Sequence, residues 1–177
     1  LSLYEGAISV TASQTIKAIA IKANLTNSAV ASATYTITPG PDVTLDFLDG
    51  NWSFPTSYQT TEEEFTNSVT SYAVTCKGTG SNGYKITSDY LMLGKQYAYI
   101  ILPEFSNPVE KIVFVKGNGD NPSGNVLFNI FDGDDAVSTQ VKGCDANKEF
   151  IIVNPAANKQ YTLKVTSDHN LQIGGLK

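Results

Sequence analysis

Apolar and polar residues alternate with a period of two along most of this chain, and no segment of a dozen residues has the 3.6-residue apolar period of a helix. The stretch ASATYTI shows the alternation clearly, because Ala31, Ala33, Tyr35 and Ile37 share one face and Ser or Thr residues lie between them. The pattern predicts an all-β protein in which this stretch is a half-buried strand.

The preceding segment IKAIAIK carries isoleucines on both faces, which predicts a central strand buried on both sides. Between the two segments lies ANLTNS, whose Asn and Ser side chains favour a turn because they bond the nearby backbone. We therefore expect a β-hairpin. The clearest break follows in TPGPD, where two prolines lack N–H donors and a glycine interrupts any strand. The predicted organisation is a first module at 1–38, a linker at 39–43 and a second domain at 44–177.

Strand patterns recur at short intervals after the linker, and the turns between them are rich in Gly, Asn and Asp. The predicted strands are VTLDF, SYAVTC, YLML, QYAYIIL, KIVFVK, NVLFNIF, EFIIVN, QYTLKV and NLQI. About nine strands at this spacing predict a two-sheet, jelly-roll-like β-sandwich.

Three of these segments carry more detailed expectations. QYTLKV alternates cleanly, so Tyr161, Leu163 and Val165 should be buried. AYIIL and FIIV are apolar on both faces, which predicts central strands. The acidic run TEEEF is interpreted as a solvated loop or a single helical turn.

Composition narrows the possible partners. All 12 basic residues are lysines and the formal net charge is -5, so the chain lacks the guanidinium groups that phosphate sites favour, and nucleic acid is not an expected partner. Charged residues make up 16% of the chain, so its solubility depends on Ser, Thr, Asn and Gly, as is typical of an exported β-protein. No run approaches the roughly 20 apolar residues of a membrane span.

Cys76 and Cys144 are either two buried thiols or one disulfide.

The segment from Tyr4 to Ile37, YEGAISVTASQTIKAIAIKANLTNSAVASATYTI, closely resembles the second half of the chitobiase/β-hexosaminidase C-terminal module. That module is an immunoglobulin-like accessory domain found beside catalytic domains of bacterial carbohydrate-active and cell-surface enzymes. Its earlier half, with a YTTDGS-like stretch, has no counterpart here. The resemblance therefore implies a partial immunoglobulin-like β-module.

The remainder resembles a β-sandwich domain common at the C-termini of exported proteins of gut bacteria, through LDF…NWSFPTS, PVEKIVFVKGNG and NKQYTLKVTSDHNLQI. The resemblance implies a secreted or cell-surface location and a role in glycan binding or surface display. The opening LSLYEG is typical of an internal cut in a longer protein, so an upstream domain of the same parent protein is an expected partner.

Catalytic chemistry is not predicted. A glycosidase needs two carboxylates about 5–9.5 Å apart, and most of the available acids lie beside Gly, Asn or Pro, where Asp favours turns. The acids in question are Asp46, Asp49, Glu104, Glu110, Asp132, Asp134 and Asp135. His169 lies in TSDHN and is interpreted as a solvated turn residue.

No metal site and no cofactor are predicted. The loops KGNGDNPSG and DGDDAV hold oxygen donors that could bind calcium, but neither matches the EF-hand spacing, and turn chemistry explains both. The donors considered are Asp120, Asn121, Asp132, Asp134 and Asp135.

Aromatic residues in turn-rich segments are the best functional hint, because sugar rings stack on Trp and Tyr faces while their hydroxyls bond polar side chains. The candidate ligand-binding residues are Trp52, Tyr58, Tyr84 and Tyr90. The alternative is that Trp52 closes the end of the core and the tyrosines edge the sheets. We accordingly expect either a non-catalytic carbohydrate-binding accessory module or a structural spacer or adhesion domain without a small-molecule ligand.

Overall fold

The computed structural model describes residues 2–10, 13–37, 40–117 and 125–177. Within these ranges the chain forms strands and one short 3-10 helix at Gly80–Asn82, so the all-β prediction is confirmed. The strands are β1 Gln14–Ala18, β2 Ala31–Tyr35, β3 Leu45–Asp46, β4 Glu63–Thr66, β5 Ala73–Lys77, β6 Tyr84–Ile86, β7 Leu91–Leu93, β8 Tyr99–Phe105, β9 Lys111–Gly117, β10 Leu127–Asp132, β11 Asp135–Ala136, β12 Val141–Lys142, β13 Glu149–Ile151, β14 Lys159–Val165 and β15 Leu171–Leu176. The chain divides into two compact units, residues 1–41 and 42–177.

The first unit contains the antiparallel pair β1–β2, in which Ile16 lies opposite Ala33. The connection between β1 and β2 turns at the Asn and Ser residues of ANLTNS, as the sequence predicts. Asn24 adopts the left-handed backbone conformation with φ 65°, and the Oγ of Ser28 accepts a 2.9 Å hydrogen bond from the N–H of Ala20. These are the local bonds that make such residues favour turns.

Burial in the first unit differs from the prediction. Among the described residues β1 pairs with β2 alone, so the expected central strand is wrong. Every residue of β2, including Ala31, Ala33 and Tyr35, is exposed, so the expected buried face is also wrong. Within the described residues of this unit, no second layer covers either face of the two-stranded sheet.

The second unit contains two antiparallel sheets. The larger has the strand order β11-β10-β14-β8-β5-β4, with β12 also paired to β10. The smaller has the order β13-β9-β15-β7-β6, with β3 also paired to β15. Strand β8 lies between β14 and β5, as the two-sided apolar pattern of AYIIL predicts.

Side chains from both sheets form one hydrophobic core between them, which makes the second unit a β-sandwich. Phe114 of β9 stacks on Phe128 of β10 with ring centroids 5.1 Å apart, so this contact joins the two sheets. In β14, Tyr161, Leu163 and Val165 are buried and alternate with partly exposed neighbours, which confirms that prediction. Each such fully buried side chain stabilises the fold by about 1.5–3 kcal/mol.

Two segments differ in the structure from their predicted assignment. The acidic run predicted as a loop or helical turn forms the edge strand β4, where Phe65 is the buried residue and Glu63, Glu64 and Thr66 are exposed. The run FIIV, predicted as central, lies at the edge of the smaller sheet in and after β13, and Ile151 is 61% exposed there. A run of apolar residues alone does not distinguish an edge strand from a central strand of a sheet.

The cysteines are free thiols in this structure. Cys76 and Cys144 are both buried, and no bridge joins them. Burial raises the pKa of the Cys76 thiol well above its usual value, which disfavours the reactive thiolate. Of the two alternatives left open by the sequence, the structure has the pair of buried thiols.

Candidate functional site

Trp52 is partly buried and packs against the core of the sandwich. Its indole stacks on Phe54 with centroids 5.4 Å apart and meets the edge of Phe47 at 5.7 Å. The indole Nε1 donates a 2.7 Å hydrogen bond to the backbone carbonyl oxygen of Asp46. One face and the polar atom of this ring are therefore already used inside the protein, in line with the alternative that Trp52 closes the core.

Tyr84 has no accessible surface. Its ring meets Phe65 edge to face at 5.8 Å, and its hydroxyl donates to Oε2 of Glu63 at 3.4 Å. Burial, and after it the Glu63 carboxylate, raises the pKa of Tyr84 to about 12. A ring in this position offers no face to a sugar, so Tyr84 belongs to the core of this structure.

Tyr58 and Tyr90 lie nearer to solvent. Tyr58 is 50% exposed, and the ammonium of Lys85 lies 4.3 Å from its ring centroid, so a cation covers one face. Tyr90 is half-buried and closes a turn in which its N–H donates to the Oγ1 of Thr87 at 3.1 Å. The structure gathers Trp52 and Tyr84 into one continuous aromatic cluster through Phe54 and Phe65, but that cluster is internal.

An open depression of about 310 Å³ lies where three connections of the second unit meet. These are the connection after β5, the β7–β8 turn and the β14–β15 turn. The lining residues are Thr79, Gly80, Ser81, Lys95, Gln96, Tyr97 and Asp168. We call this feature the Tyr97 depression. Its volume is at the lower end of the range for small-molecule sites, about 300–1,000 Å³.

Hydrogen bonds between distant segments hold the depression together. The N–H of Tyr97 donates to the carbonyl of Val165 at 2.9 Å, and Nε2 of Gln96 donates to the carbonyl of Thr166 at 3.3 Å. On the other side, the hydroxyl of Thr79 donates to the carbonyl of Gly94 at 3.2 Å. The β7–β8 turn is therefore fixed to both neighbouring connections.

Tyr97 is the exposed aromatic residue of this depression. Its side chain is 66% exposed, and its φ of 71° lies in the left-handed region, which bulky residues rarely adopt. Lys95, two residues earlier, also has a positive φ of 69°. Among the described residues, no aromatic ring or ammonium packs against the Tyr97 ring. The strained turn thus presents an uncovered ring to solvent.

Polar residues line the same depression as Tyr97. The hydroxyl of Ser81 and the amide of Gln96 line the same depression. The ammonium of Lys95 lies 3.4 Å from Oδ1 of Asp168, and the two side chains are 33% and 78% exposed. The depression therefore combines an aromatic face with hydroxyl, amide, ammonium and carboxylate groups, a set that can hydrogen-bond a polyhydroxylated ligand.

Sequence reasoning missed Tyr97 because it placed Gln96 and Tyr97 inside the strand QYAYIIL, whereas β8 begins at Tyr99. The one local signal was the LGKQ stretch before Tyr97, since Gly followed by polar residues favours a turn. The bonds that fix the turn come from Val165 and Thr166, which no local pattern indicates.

The acidic side chains considered for chemistry mostly serve local structure. Asp46 accepts the N–H of Leu48 at 3.0 Å, Asp49 accepts the N–H of Asn51 at 2.8 Å, and Asp132 pairs with Lys159 at 2.6 Å. His169 is exposed. In the part of the chain that the structure describes, no group of three or more His, Cys, Asp and Glu side chains could hold a metal ion. Asp120 and Asn121 lie outside the described residues.

Comparisons with known proteins find no relative of this chain. No protein-family model, no curated protein and no solved structure matches this chain. Within the described ranges, no helix has both the length and the hydropathy needed to cross a membrane.

Proposed function

We propose that this chain is a non-catalytic carbohydrate-binding accessory module of a secreted or cell-surface bacterial protein, and that it binds glycan at the Tyr97 depression. The observation that carries this proposal is the uncovered ring of Tyr97, which is 66% exposed and lies on a turn whose backbone is hydrogen-bonded to Val165. Because the backbone of this turn is already held, mainly the tyrosine side chain would lose conformational freedom when a sugar stacks on it.

The surrounding groups suit a sugar. The C–H face of a pyranose packs on an aromatic ring, and its hydroxyls act as donors and acceptors at the ring edges. Ser81, Gln96 and Asp168, which carry a hydroxyl, an amide and a carboxylate, line the same depression as Tyr97. Because the depression is open, it suits one or a few sugar residues of a long chain better than an enclosed small molecule.

The proposed absence of catalysis has its own support. Among the described residues that line the depression, Asp168 carries the one carboxylate, and it is paired with Lys95. Glycoside hydrolysis requires a second acid within about 5–9.5 Å and on the other side of the bond that breaks. The depression is therefore suited to binding alone.

Affinity electrophoresis of the full chain through gels containing soluble polysaccharides tests this proposal. Tyr97→Ala removes the ring and keeps the rest of the depression. Tyr58→Ala is the matched control, because Tyr58 is also an exposed tyrosine, at 50%, but does not line the depression. Loss of the aromatic platform should weaken binding by about tenfold or more, at least roughly 1.4 kcal/mol, which abolishes visible retardation in the gel.

Retardation by at least one polysaccharide that Tyr97→Ala abolishes and Tyr58→Ala preserves supports the proposal. Retardation that Tyr58→Ala abolishes and Tyr97→Ala preserves would instead place the site at Tyr58, one of the residues predicted from the sequence. Absence of retardation by every glycan in a broad panel would contradict glycan binding altogether.

The alternative function is that of a structural spacer or adhesion domain, and one observation favours it. Of the 13 exposed large hydrophobic residues among the described ones, eight lie in the first unit. They are Leu3, Tyr4, Ile8, Ile21, Leu25, Val30, Tyr35 and Ile37. Exposed apolar surface of this kind is typical of protein contacts. This function predicts no effect of Tyr97→Ala and loss of cell-surface adhesion when Tyr35 and Ile37 are replaced by threonine.

A further inference from the structure

The described side chains that line the Tyr97 depression include one positive and one negative charge. Lys95 and Asp168 are the charged side chains among the described residues that line it, and their Nζ and Oδ1 atoms lie 3.4 Å apart. The stem of Lys95 runs beside Gly80, because a Cβ added at Gly80 would lie 3.5 Å from Lys95 Cγ. The Lys95 stem thus lies near Gly80, another lining residue, and its ammonium faces Asp168.

We propose that Asp168 makes the Tyr97 depression selective for neutral sugars by pairing with Lys95, which among the described lining residues carries the ammonium that could bind an acidic sugar. This inference rests on the proposed glycan-binding function. The carboxylate of a uronic acid that approached Lys95 would also approach Asp168, and like charges repel at such distances. Neutral hydroxyls have no such conflict, since they can donate to Asp168 and accept from Lys95.

The charge of the whole chain acts in the same direction. Its formal net charge is -5, so an acidic polysaccharide approaches a protein of like charge. The lysine in the depression would favour an acidic ligand only if its partner were neutral.

Asp168→Asn tests this inference, because it neutralises the carboxylate while keeping nearly the same shape. The control is Glu149→Gln, which makes the same change in net charge at the exposed Lys111–Glu149 pair, where the atoms lie 3.0 Å apart and outside the depression. Both variants and the parent chain are run through gels containing neutral probes, galactomannan and hydroxyethyl cellulose, and acidic probes, polygalacturonate and hyaluronan.

The parent chain should bind a neutral probe and pass through the acidic ones. Asp168→Asn should increase affinity for an acidic probe by about two- to fivefold, the range typical of one exposed charge pair, and added salt should remove the gain. Glu149→Gln should leave selectivity unchanged. Circular dichroism of each variant checks that it is folded.

The outcomes separate this inference from the function on which it rests. Neutral binding that Tyr97→Ala abolishes, with no change in selectivity in Asp168→Asn, overturns the inference and leaves the function standing. An equal gain in Asp168→Asn and Glu149→Gln also overturns it, because net charge alone then explains the effect. A parent chain that binds no probe contradicts both, and one that prefers the acidic probes contradicts the selectivity.

Discussion

The indole Nε1 of Trp52 donates a 2.7 Å hydrogen bond to the backbone carbonyl oxygen of Asp46. Asp46 ends β3, which pairs with the central strand β15 of the smaller sheet. The bond therefore fixes the tryptophan to the sheet, and the Phe54 ring covers one of its faces. Trp52, the only tryptophan of the chain, therefore has a structural role.

Trp52→Ala should lower the free energy of unfolding by about 2–3 kcal/mol, because the ring is half-buried and its aromatic contacts are lost. Trp52→Phe should cost about 1 kcal/mol, since it keeps much of the packing and loses the hydrogen bond. Urea unfolding measures both values. Unchanged stability in Trp52→Ala, with loss of glycan retardation, would instead make Trp52 a binding residue.

Alkaline pH should destabilise the fold through two tyrosines, in addition to the buried Cys76 thiol, whose pKa is also raised by burial. Burial first, and then Glu63 for Tyr84 and Glu62 for Tyr99, raises the pKa of each to about 12 from an ordinary value of 10. Since the folded-state pKa exceeds the unfolded one, the stabilisation is complete below pH 10 and is lost as pH rises toward about 12. Urea unfolding at a series of pH values should show this fall.

Tyr84→Phe should make that fall shallower, because the phenylalanine has no proton to lose. Tyr99→Phe should act in the same direction, as it removes the second raised group. If Tyr84→Phe and the parent chain lose stability with the same slope above pH 10, the pKa assigned to Tyr84 is wrong.

Gly83→Ala should be severely destabilising. A Cβ at this position would overlap the carbonyl oxygen of Gln59, which accepts a 2.7 Å hydrogen bond from the N–H of Tyr84. The bridge between Gln59 and Tyr84 would have to break, so we expect a loss of about 3 kcal/mol in unfolding free energy. Gly133→Ala is the control, because a Cβ there meets nothing within 4 Å and only the positive φ of 61° opposes it. Its expected cost is about 1 kcal/mol.

Tyr97→Gly should stabilise the protein while it removes the proposed binding surface. The left-handed backbone at Tyr97 costs an L-residue about 1–2 kcal/mol, and glycine relieves this at some cost in unfolded-state entropy. The expected net gain is about 0.5–1 kcal/mol. Tyr97→Ala keeps the strained φ and should change stability little. A loss of stability in Tyr97→Gly would show that the ring makes packing contacts that its exposure does not suggest.

Much of the sandwich could be predicted from local alternation. Each of the nine strands predicted for the second domain has a counterpart in β3, β5, β7, β8, β9, β10, β13, β14 or β15. The missed strands are β4, β6, β11 and β12, and all are short. In β4 the alternation has one buried apolar residue, Phe65, among glutamates, so charge concealed the period.

The site was harder to predict, because exposure of an aromatic ring depends on distant parts of the chain. Trp52 and Tyr84 lie in turn-rich segments, but the side chains of Phe47, Phe54 and Phe65 cover them. Tyr97 continues an apolar alternation, but bonds from the β14–β15 region hold it in a turn, as with Gln96 and Thr166, which are 70 residues apart. Sequence indicated the type of residue that binds sugars but not which ring is uncovered.

Backbone amide chemical shifts of the full chain, recorded by NMR during titration with a polysaccharide fragment that retards it, test the central claim most directly. Changes concentrated at Thr79–Ser81, Lys95–Tyr97 and Asp168 are the predicted result, since these residues line the Tyr97 depression. Changes concentrated around Trp52, Tyr58 and Lys85, with the β7–β8 turn unaffected, would contradict it.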